Sequence, residues 1–421
     1  MKRVSVCTLL AWTSFFLFFL LSLVVGRVAN PSYYLLAVVG IAYAIGAAKK
    51  KEMGILHAWL EYRWIYISAF GMVLAILAHE IAENNIRARS YDVPSHVALL
   101  GFLTLGGLSM STMQIKRLRW AFLIGPVIAT LMLAAATSDG AVRLPAVDFI
   151  SIIVFSQLTL LLAIFAVFSI VWNDKKNMLA TALLGFTGLV GLYSIYISQT
   201  RGAWIAVPVF IVLLCIVFLK NTYSVKAISW ASVLILVLAG AFSTTSIVHK
   251  RVYEAVDDVH QYVTGQNQDT SVGTRFQLWK VSWLMFAENP VFGVGGDNFV
   301  DTLKANAAHG LISTKTTTYP HSHNEVLFSM ATYGIFGLLG ILATYFVPLY
   351  YFVRDMRHAD REIVAAAAMG TTVCLGYFVF GLVDVMFMWR ICDTFYAMSI
   401  AFCLSFIIRK KYELRQLAAT H

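Results

Sequence analysis

Residues 321–325, HSHNE, place two histidines, an asparagine and a glutamate directly before a long apolar run. An imidazole near neutral pH can accept a proton from a hydroxyl group or orient it. A helix is predicted to start here, and its positive dipole end favours a neutral imidazole at His323. The segment therefore predicts acid–base chemistry at His323, with His321 and Asn324 beside it. A solvated polar helix end is the alternative, and it accounts for the same residues.

A metal site is a further alternative, because imidazole is a common metal ligand. Histidines two residues apart do not share one face of a helix, however. With a helix predicted at this point, we expect neither a metal nor another cofactor.

Two arginines could bind an anion close to these histidines. Arg201 lies between two apolar runs with almost no loop, and Arg275 lies in a polar stretch. A guanidinium group matches phosphate oxygens bidentately, so two converging arginines indicate diphosphate binding. A lone arginine at a membrane boundary could equally be an interfacial anchor.

Asp384 and Arg390 follow in GLVDVMFMWR, at the end of an apolar run. An ionisable group in such a place is usually partnered or functional. An ion pair of Asp384 with Arg201 or Arg390 is therefore as compatible with the sequence as contact with a substrate.

Two other polar segments carry weaker signals. GVGGDNF lacks the lysine and hydroxyl residue of a phosphate loop, and it is interpreted as a tight turn. LAHEIAENN places His79, Glu80 and Glu83 at one end of a predicted helix. They could line a polar surface for an acceptor or cap the helix.

The composition indicates that transmembrane helices position these residues. Of 421 residues, 59% are hydrophobic and only 13% are charged. Apolar runs of about 20 residues are long enough to cross a bilayer. The predicted fold is all-α and integral to the membrane, with twelve transmembrane helices near 6–25, 33–48, 64–82, 95–113, 119–137, 149–172, 178–198, 203–219, 227–243, 326–353, 363–386 and 391–408.

The distribution of charge predicts the orientation and excludes a nucleic-acid partner. The net charge is +10, but most lysines and arginines fall in alternate connections between the spans. The positive-inside rule then places both termini in the cytoplasm. The basic excess needs no nucleic acid, and the polar residues described above fall on the outer side.

One long connection divides the chain into residues 1–243 with nine spans, an outer loop at 244–325, and residues 326–421 with three spans and a cytoplasmic tail. Loops of this length are commonly functional. Within it, Phe276, Trp279, Trp283 and Phe286 recur every three to four residues. They predict an amphipathic helix that lies against the membrane surface or the bundle.

The ends and the cysteines add little chemistry. The first apolar run lacks a convincing cleavage site and is interpreted as a retained span rather than a secretory signal. Five cysteines are scattered through apolar runs without a CxxC pair, so neither a disulfide framework nor a zinc site is indicated.

The segments SQTRGAW, TRFQLWKVSWLMFAENPVFGVGGDNF and HSHNEVL occur in this order over roughly residues 190 to 390. Together they resemble the O-antigen ligase and polymerase superfamily. The resemblance implies a fold similar to the lipid-linked C-type glycosyltransferases. It also implies a multi-pass protein of the bacterial inner membrane with a periplasmic active site.

The implied donor is an O-antigen chain on undecaprenyl diphosphate, and the implied acceptor is a sugar hydroxyl of lipid A-core. The two arginines of the superfamily map to Arg201 and Arg275, and its histidine maps to His323, although His321 also fits the local pattern. The implied reaction is metal-independent and inverts the anomeric carbon. No oligomeric state is implied.

Three other functions use related features. An O-antigen polymerase shares the donor chemistry, and the arginine and histidine set does not separate it from a ligase. A protein O-oligosaccharyltransferase often carries an additional C-terminal soluble portion, which is not predicted here. A secondary transporter also fits twelve spans, but its substrate sites usually lie near the bilayer midplane on broken helices.

Overall fold

The computed structural model describes residues 5–49, 53–142, 144–173, 177–219 and 245–419, together with 229, 232–235, 237 and 240. Helices make up almost all of the regular structure, as predicted. The single sheet among these residues consists of two antiparallel strands of two residues each, Ala146–Val147 (β1) and Ile150–Ser151 (β2).

The described α-helices are numbered in chain order and are connected mostly by short turns. They are α1 Val6–Leu21, α2 Ala29–Lys49, α3 Met53–Leu60, α4 Arg63–Ser68, α5 Gly71–Ala82, α6 Pro94–Ala98, α7 Leu100–Leu108, α8 Thr112–Arg117, α9 Arg119–Thr137, α10 Ile152–Phe168, α11 Met178–Ile197, α12 Arg201–Trp204, α13 Ala206–Phe218, α14 Ser246–Val263, α15 Ser271–Glu288, α16 Phe299–Ala308, α17 Glu325–Asp355, α18 Arg361–Gly381 and α19 Arg390–Ala419.

Nine helical stretches among the described residues are long and apolar enough to cross a membrane. Each of them overlaps one of the twelve predicted spans. They are Ala29–Lys49, Arg63–Ala82, Thr112–Thr137, Ile152–Trp172, Met178–Ile197, Arg201–Phe218, Glu325–Asp355, Arg361–Gly381 and Arg390–Ala419.

The three other predicted spans have different outcomes. The first is the helix α1, which is apolar but has only 16 residues. The span predicted at 95–113 is not confirmed, because α7 ends at Leu108 and a capping box at Ser111 starts α8. The span predicted at 227–243 lies largely outside the described residues.

The core of the bundle is built on α10, α18 and α19. The apolar stretches of α10 and α19 are almost entirely buried, and α10 has no polar face. Close helix approach is made possible by small residues such as the alanines 365–368 of α18, all of which are fully buried. This packing gives a rigid support to the ends of α17, α18 and α19, where the polar residues cluster.

Residues 245–324 form helices that lie over one end of the bundle. The predicted amphipathic helix is α15, and part of its aromatic stripe packs on the protein, since Phe276 contacts the ring of Tyr262. Leu278, Val281 and Met285 form its buried face, whereas Trp283 is 54% exposed. Helix α14, which the sequence reading missed, also presents an exposed apolar stripe that contains Val252, Val256 and Val263. Such stripes are typical of helices that lie in a membrane interface.

Helix α17 is broken at Tyr333 and Gly334, where the backbone leaves helical geometry. The GVGG loop fills the break. Val294 N–H donates to Ala331 O at 2.9 Å, Gly295 N–H to Thr332 O at 2.8 Å, and Ile335 N–H to Pro290 O at 2.8 Å. The loop predicted as a tight turn therefore forms hydrogen bonds with the backbone groups that lose their helical partners at the break.

We expect Gly334→Ala to destabilise the protein by about 2 kcal/mol or more. Gly334 has φ +60° and ψ −143°, and a Cβ atom there would lie 2.3 Å from Val291 O. Thermal unfolding of the purified protein should show a clear fall in Tm. Gly46→Ala is the control, since a Cβ atom at Gly46 meets nothing within 4 Å. Equal Tm values for the two variants would contradict the strain argument.

Candidate active site

The two histidines lie in an irregular turn before α17 and not on a helix. Asn324 is the N-cap and its side chain accepts from Leu327 N–H at 3.0 Å, so the helix starts at Glu325. His323 has φ +52°, and its ring centroid is 4.4 Å from that of His321. The two histidines therefore precede the helix, and the prediction that places them on it is wrong. The argument that their side chains point to different helix faces does not apply.

Asp384 faces both imidazoles from the turn after α18. Its Oδ1 atom is 3.4 Å from His323 Nδ1 and 3.9 Å from His321 Nε2. Burial by itself would raise the pKa of Asp384, but the approach of His323 and His321 outweighs it and holds the pKa below its usual range. Asp384 is thus an ionised carboxylate that can orient His323.

His321 is a buried neutral imidazole. Its Nδ1 atom accepts from the His323 backbone N–H at 3.2 Å, which leaves the ring proton on Nε2, toward Asp384. Burial, together with repulsion from His323, lowers the pKa of His321 to about 4. The ring therefore keeps its hydrogen-bonding role throughout the neutral range.

Acidification should destabilise the protein through His321. Between about pH 6.5 and pH 4 the unfolded chain binds a proton at this residue and the folded chain does not, so stability falls as the pH falls. We expect a loss on the order of 1 kcal/mol at pH 5. The fall in Tm from pH 7 to pH 5 should be smaller in His321→Asn than in the wild type. Identical falls would show that His321 does not carry the effect.

Arg275 and His323 line one cavity of about 520 Å³. Its walls also contain Tyr319, whose ring packs edge-on against His323 with centroids 5.3 Å apart, and the apolar Ile152 and Ile153. Within the described part of the chain, no hydrogen bond or ion pair engages the Arg275 guanidinium. Burial lowers the pKa of Arg275 and Asp384 opposes that effect, but a guanidinium stays charged. The cavity therefore presents unused donors and a positive charge.

Arg201 approaches the same place from the start of α12. The turn before it is fixed by Gln199, which has φ +55° and donates from Nε2 to Gly140 O at 2.9 Å. Among the described residues, the contacts of the Arg201 guanidinium are long: 3.4 Å to the Arg251 carbonyl oxygen, 3.5 Å to Ser271 Oγ and 3.9 Å to Asp258 Oδ2. Ser271 lines the His323 cavity. Arg201 is consequently held at the cavity by contacts that a stronger anion could replace.

A third arginine, Arg251 of α14, joins these two and was missed from the sequence. It lies within electrostatic range of both Arg201 and Arg275. Its carbonyl oxygen accepts from Arg201 at 3.4 Å, while its own guanidinium binds Glu254 at 2.5 Å. The strong amphipathic pattern around HKRVYEAVDDV was the available signal, since it marks Arg251 as part of a face.

Other predicted groups lie elsewhere. Arg390 forms an ion pair with Asp92, so the predicted ion pair between Asp384 and either Arg201 or Arg390 is not formed. His79 Nδ1 contacts Phe292 O at 2.8 Å, and Glu80 accepts from the hydroxyls of Ser90 and Tyr91 at 2.7 Å. These two residues hold loops together.

One group among the described residues has the composition of a metal site. It comprises His321, His323 and Asp384, whose ligand atoms lie within 4.8 Å of one another. Arg275 is electrostatically close to both Asp384 and His321, however, and its charge repels a cation. The surrounding arginines suit an anion better.

Next to the two turns that carry His323 and Asp384 lies a second group of acidic residues, which was not predicted from the sequence as a site. Glu325 and Asp393 are 2% and 0% exposed and line another cavity, of about 470 Å³. Asp393 could have been identified by the rule applied to Asp384, because it is a carboxylate within a predicted span.

Comparison with known proteins agrees with the motifs. The O-antigen ligase family model matches residues 186–342, which contain both Arg201 and Arg275 and the HSHN segment. The O-antigen ligase of Escherichia coli K12 is 25% identical over 218 residues, half of each chain. An uncharacterised protein of Haemophilus influenzae strain Rd is 22% identical over 366 residues, which cover 84% of this chain and 87% of the relative. The predicted resemblance to O-antigen ligases is therefore confirmed over residues 186–342, the part of this chain that the O-antigen ligase family model matches.

Proposed function

We propose that this protein is an O-antigen ligase of lipopolysaccharide biosynthesis. It transfers O-antigen polysaccharide from undecaprenyl diphosphate to a sugar hydroxyl of lipid A-core. One observation carries the proposal. Arg275 and His323 come from distant segments and line one cavity, and Arg201, from a third segment, contacts Ser271 in the wall of that cavity at 3.5 Å. The ligase family match over this region supports the same reaction.

The arginines bind the diphosphate of the donor. As the glycosidic bond breaks, negative charge develops on the leaving phosphate oxygen, and fixed donors stabilise it without a metal ion. Arg275 has a guanidinium free of other partners within the described part of the chain. Arg201 exchanges its long contacts to Ser271 and Asp258 for phosphate oxygens.

His323 activates the acceptor hydroxyl, and Asp384 holds the imidazole in place. A proton on Nδ1 directed at Asp384 Oδ1, 3.4 Å away, leaves Nε2 free to accept the hydroxyl proton. This separation exceeds that of a strong hydrogen bond and is of the kind that shortens when substrate binds. Asp384 acts as a positioning residue, as the third member of a catalytic triad does.

The reaction is then a single displacement. The acceptor oxygen forms a bond to the anomeric carbon, and the bond from that carbon to the phosphate oxygen breaks. The hydroxyl proton goes to His323, and the electron pair leaves on undecaprenyl diphosphate. Attack opposite the leaving group inverts the configuration.

The charge pattern supports the orientation of this chemistry. Basic residues concentrate in the connections opposite to HSHNE, which indicates that these connections are cytoplasmic. The cavity then opens to the periplasm, and the protein lies in the bacterial inner membrane. Membrane lipid surrounds the spans, and both substrates reach the site within the bilayer plane.

The test is a reaction of the full-length purified protein with undecaprenyl diphosphate-linked O-antigen and lipid A-core, with and without chelator. We expect glycosylated lipid A-core in both conditions and an inverted linkage by NMR. Loss of activity in chelator that a divalent ion restores would contradict metal independence. A retained configuration would exclude single displacement.

Two products would identify other functions. Elongation of the lipid-linked glycan without transfer to lipid A-core would make the protein an O-antigen polymerase. Transfer to serine or threonine side chains would make it a protein O-oligosaccharyltransferase. With neither product, proton-coupled flux in vesicles would identify a transporter.

A further inference from the structure

The Asp393 cavity, of about 470 Å³, lies behind the turn that carries His323 and has its own polar groups. Arg89, Ser90 and Val93 line it together with the buried Glu325 and Asp393. Arg89 is exposed, whereas Asp393 is completely buried. The cavity thus connects solvent-exposed residues with carboxylates in the interior of the bundle.

The Asp393 carboxylate lacks hydrogen-bond donors among the described residues. Both oxygens of Asp393 are buried and have no hydrogen-bond partner among the described residues. Ser329 Oγ, which lines the same cavity, is buried and unpartnered in the same way. Unpaired polar groups are costly in a protein interior, so a ligand with several hydroxyl donors is favoured there.

The wall of the cavity includes irregular backbone. The break in α17 lies beside it, and Tyr333 is one of its lining residues. Irregular backbone inside a membrane bundle is tolerated where it is buried in protein or lines an aqueous cavity. Phe328 and Phe387 complete the wall with aromatic faces.

These features select a sugar over an ion. The three-ligand metal group identified in the described part of the chain is the His321, His323 and Asp384 cluster, which lies outside this cavity. The volume is typical of a small-molecule site rather than of an ion site. Carboxylates that accept hydrogen bonds, beside aromatic faces that pack on C–H groups, match a polyhydroxylated ring.

We propose that the Asp393 cavity binds the acceptor sugar, with Asp393 and Glu325 accepting hydrogen bonds from its hydroxyls. Glu325 is fixed for this role because its Oε2 atom accepts from Phe387 N–H at 2.9 Å. His323 and Glu325 are two residues apart and line different cavities. A sugar held by Glu325 is therefore close to the turn that carries His323. This assignment rests on the proposed ligase function.

The experiment measures how the core sugars contribute to binding and turnover. The wild type should bind lipid A-core more tightly than lipid A without core sugars. In Asp393→Asn and Glu325→Gln we expect this difference to shrink and the KM for lipid A-core to rise by about tenfold or more, while the affinity for the lipid-linked donor is retained. Asp301→Asn, an exposed carboxylate of α16, is the control and should leave both quantities unchanged.

Val93→Trp guards against misfolding of the buried variants. Val93 is partly exposed and lines the cavity, so a large side chain there should narrow it without placing a new group in the core. A KM for lipid A-core that stays unchanged in this variant and in the folded carboxylate variants would overturn the proposal. So would equal binding of the two lipids by the wild type.

The outcomes separate this inference from the ligase reaction. Core-dependent binding that Asp393→Asn abolishes, in a protein that never transfers O-antigen to lipid A-core, would refute the ligase function and keep the cavity assignment. If the wild type transferred O-antigen to lipid A-core and the cavity variants had no effect, the ligase function would be supported and the cavity assignment would be refuted.

Discussion

Arg275→Ala should reduce transfer by about 10²- to 10³-fold, the usual cost of removing one fixed donor from a developing oxyanion. The Arg275 guanidinium faces the His323 cavity and has no partner within the described part of the chain, so its donors are available for the diphosphate. Lysine supplies the charge but not the planar pair of donors, and Arg275→Lys should recover only part of the rate. Single-turnover transfer and donor binding measure both effects.

The control for Arg275 is Lys304→Ala. Lys304 is a cation of the same connecting segment, its side chain is 61% exposed, and it pairs with Asp301. A general loss of positive charge would affect both variants, whereas diphosphate binding predicts a loss in Arg275→Ala alone. Normal donor affinity and normal turnover in folded Arg275→Ala would refute the role assigned to this arginine.

His323→Ala should lower kcat by about 10²- to 10⁴-fold, the usual contribution of general base catalysis. Donor affinity should change little, because the arginines remain. His323 lines the cavity and contacts Asp384, so its removal affects proton transfer rather than diphosphate binding. Added imidazole should restore part of the rate if the missing group is a base.

His309→Ala, an exposed histidine of the same segment, is the matched control and should behave as the wild type. If His321→Ala abolished turnover and His323→Ala did not, the assignment of the base to the second histidine would be wrong. The geometry favours His323, because His321 Nδ1 already accepts the His323 backbone N–H.

The residue types of the site could be predicted from the sequence, because chemistry limits the choice. Arg201 and His323 were identified by type and by their position at the ends of apolar runs, and Arg275 was identified by type within a polar stretch. The structure brings all three to one end of the bundle. Nine of the spans followed from hydropathy alone. A membrane requires long apolar helices, so this part of the fold is encoded locally.

The remaining features depend on contacts between distant segments. Gly334 resembles an ordinary small residue in an apolar run, and the partner that satisfies its break lies about 40 positions earlier in the chain. Asp384 faces the histidines rather than an arginine, because the end of α18 and the turn before α17 lie next to each other in the fold. The His321 and His323 rings approach because the chain turns at His323, and no periodic pattern reports one residue with positive φ.

The turn at 321–325 limits which parts of this protein can vary in sequence. A single short stretch supplies one group to each of two neighbouring cavities, so an insertion or deletion there would disturb both compartments at once. The opposite walls, near Ile152 on one side and Val97 on the other, belong to different helices and can vary independently. Substitutions that change substrate preference, by evolution or by engineering, should therefore accumulate on these two walls. The turn at 321–325, which borders both cavities, should remain unchanged.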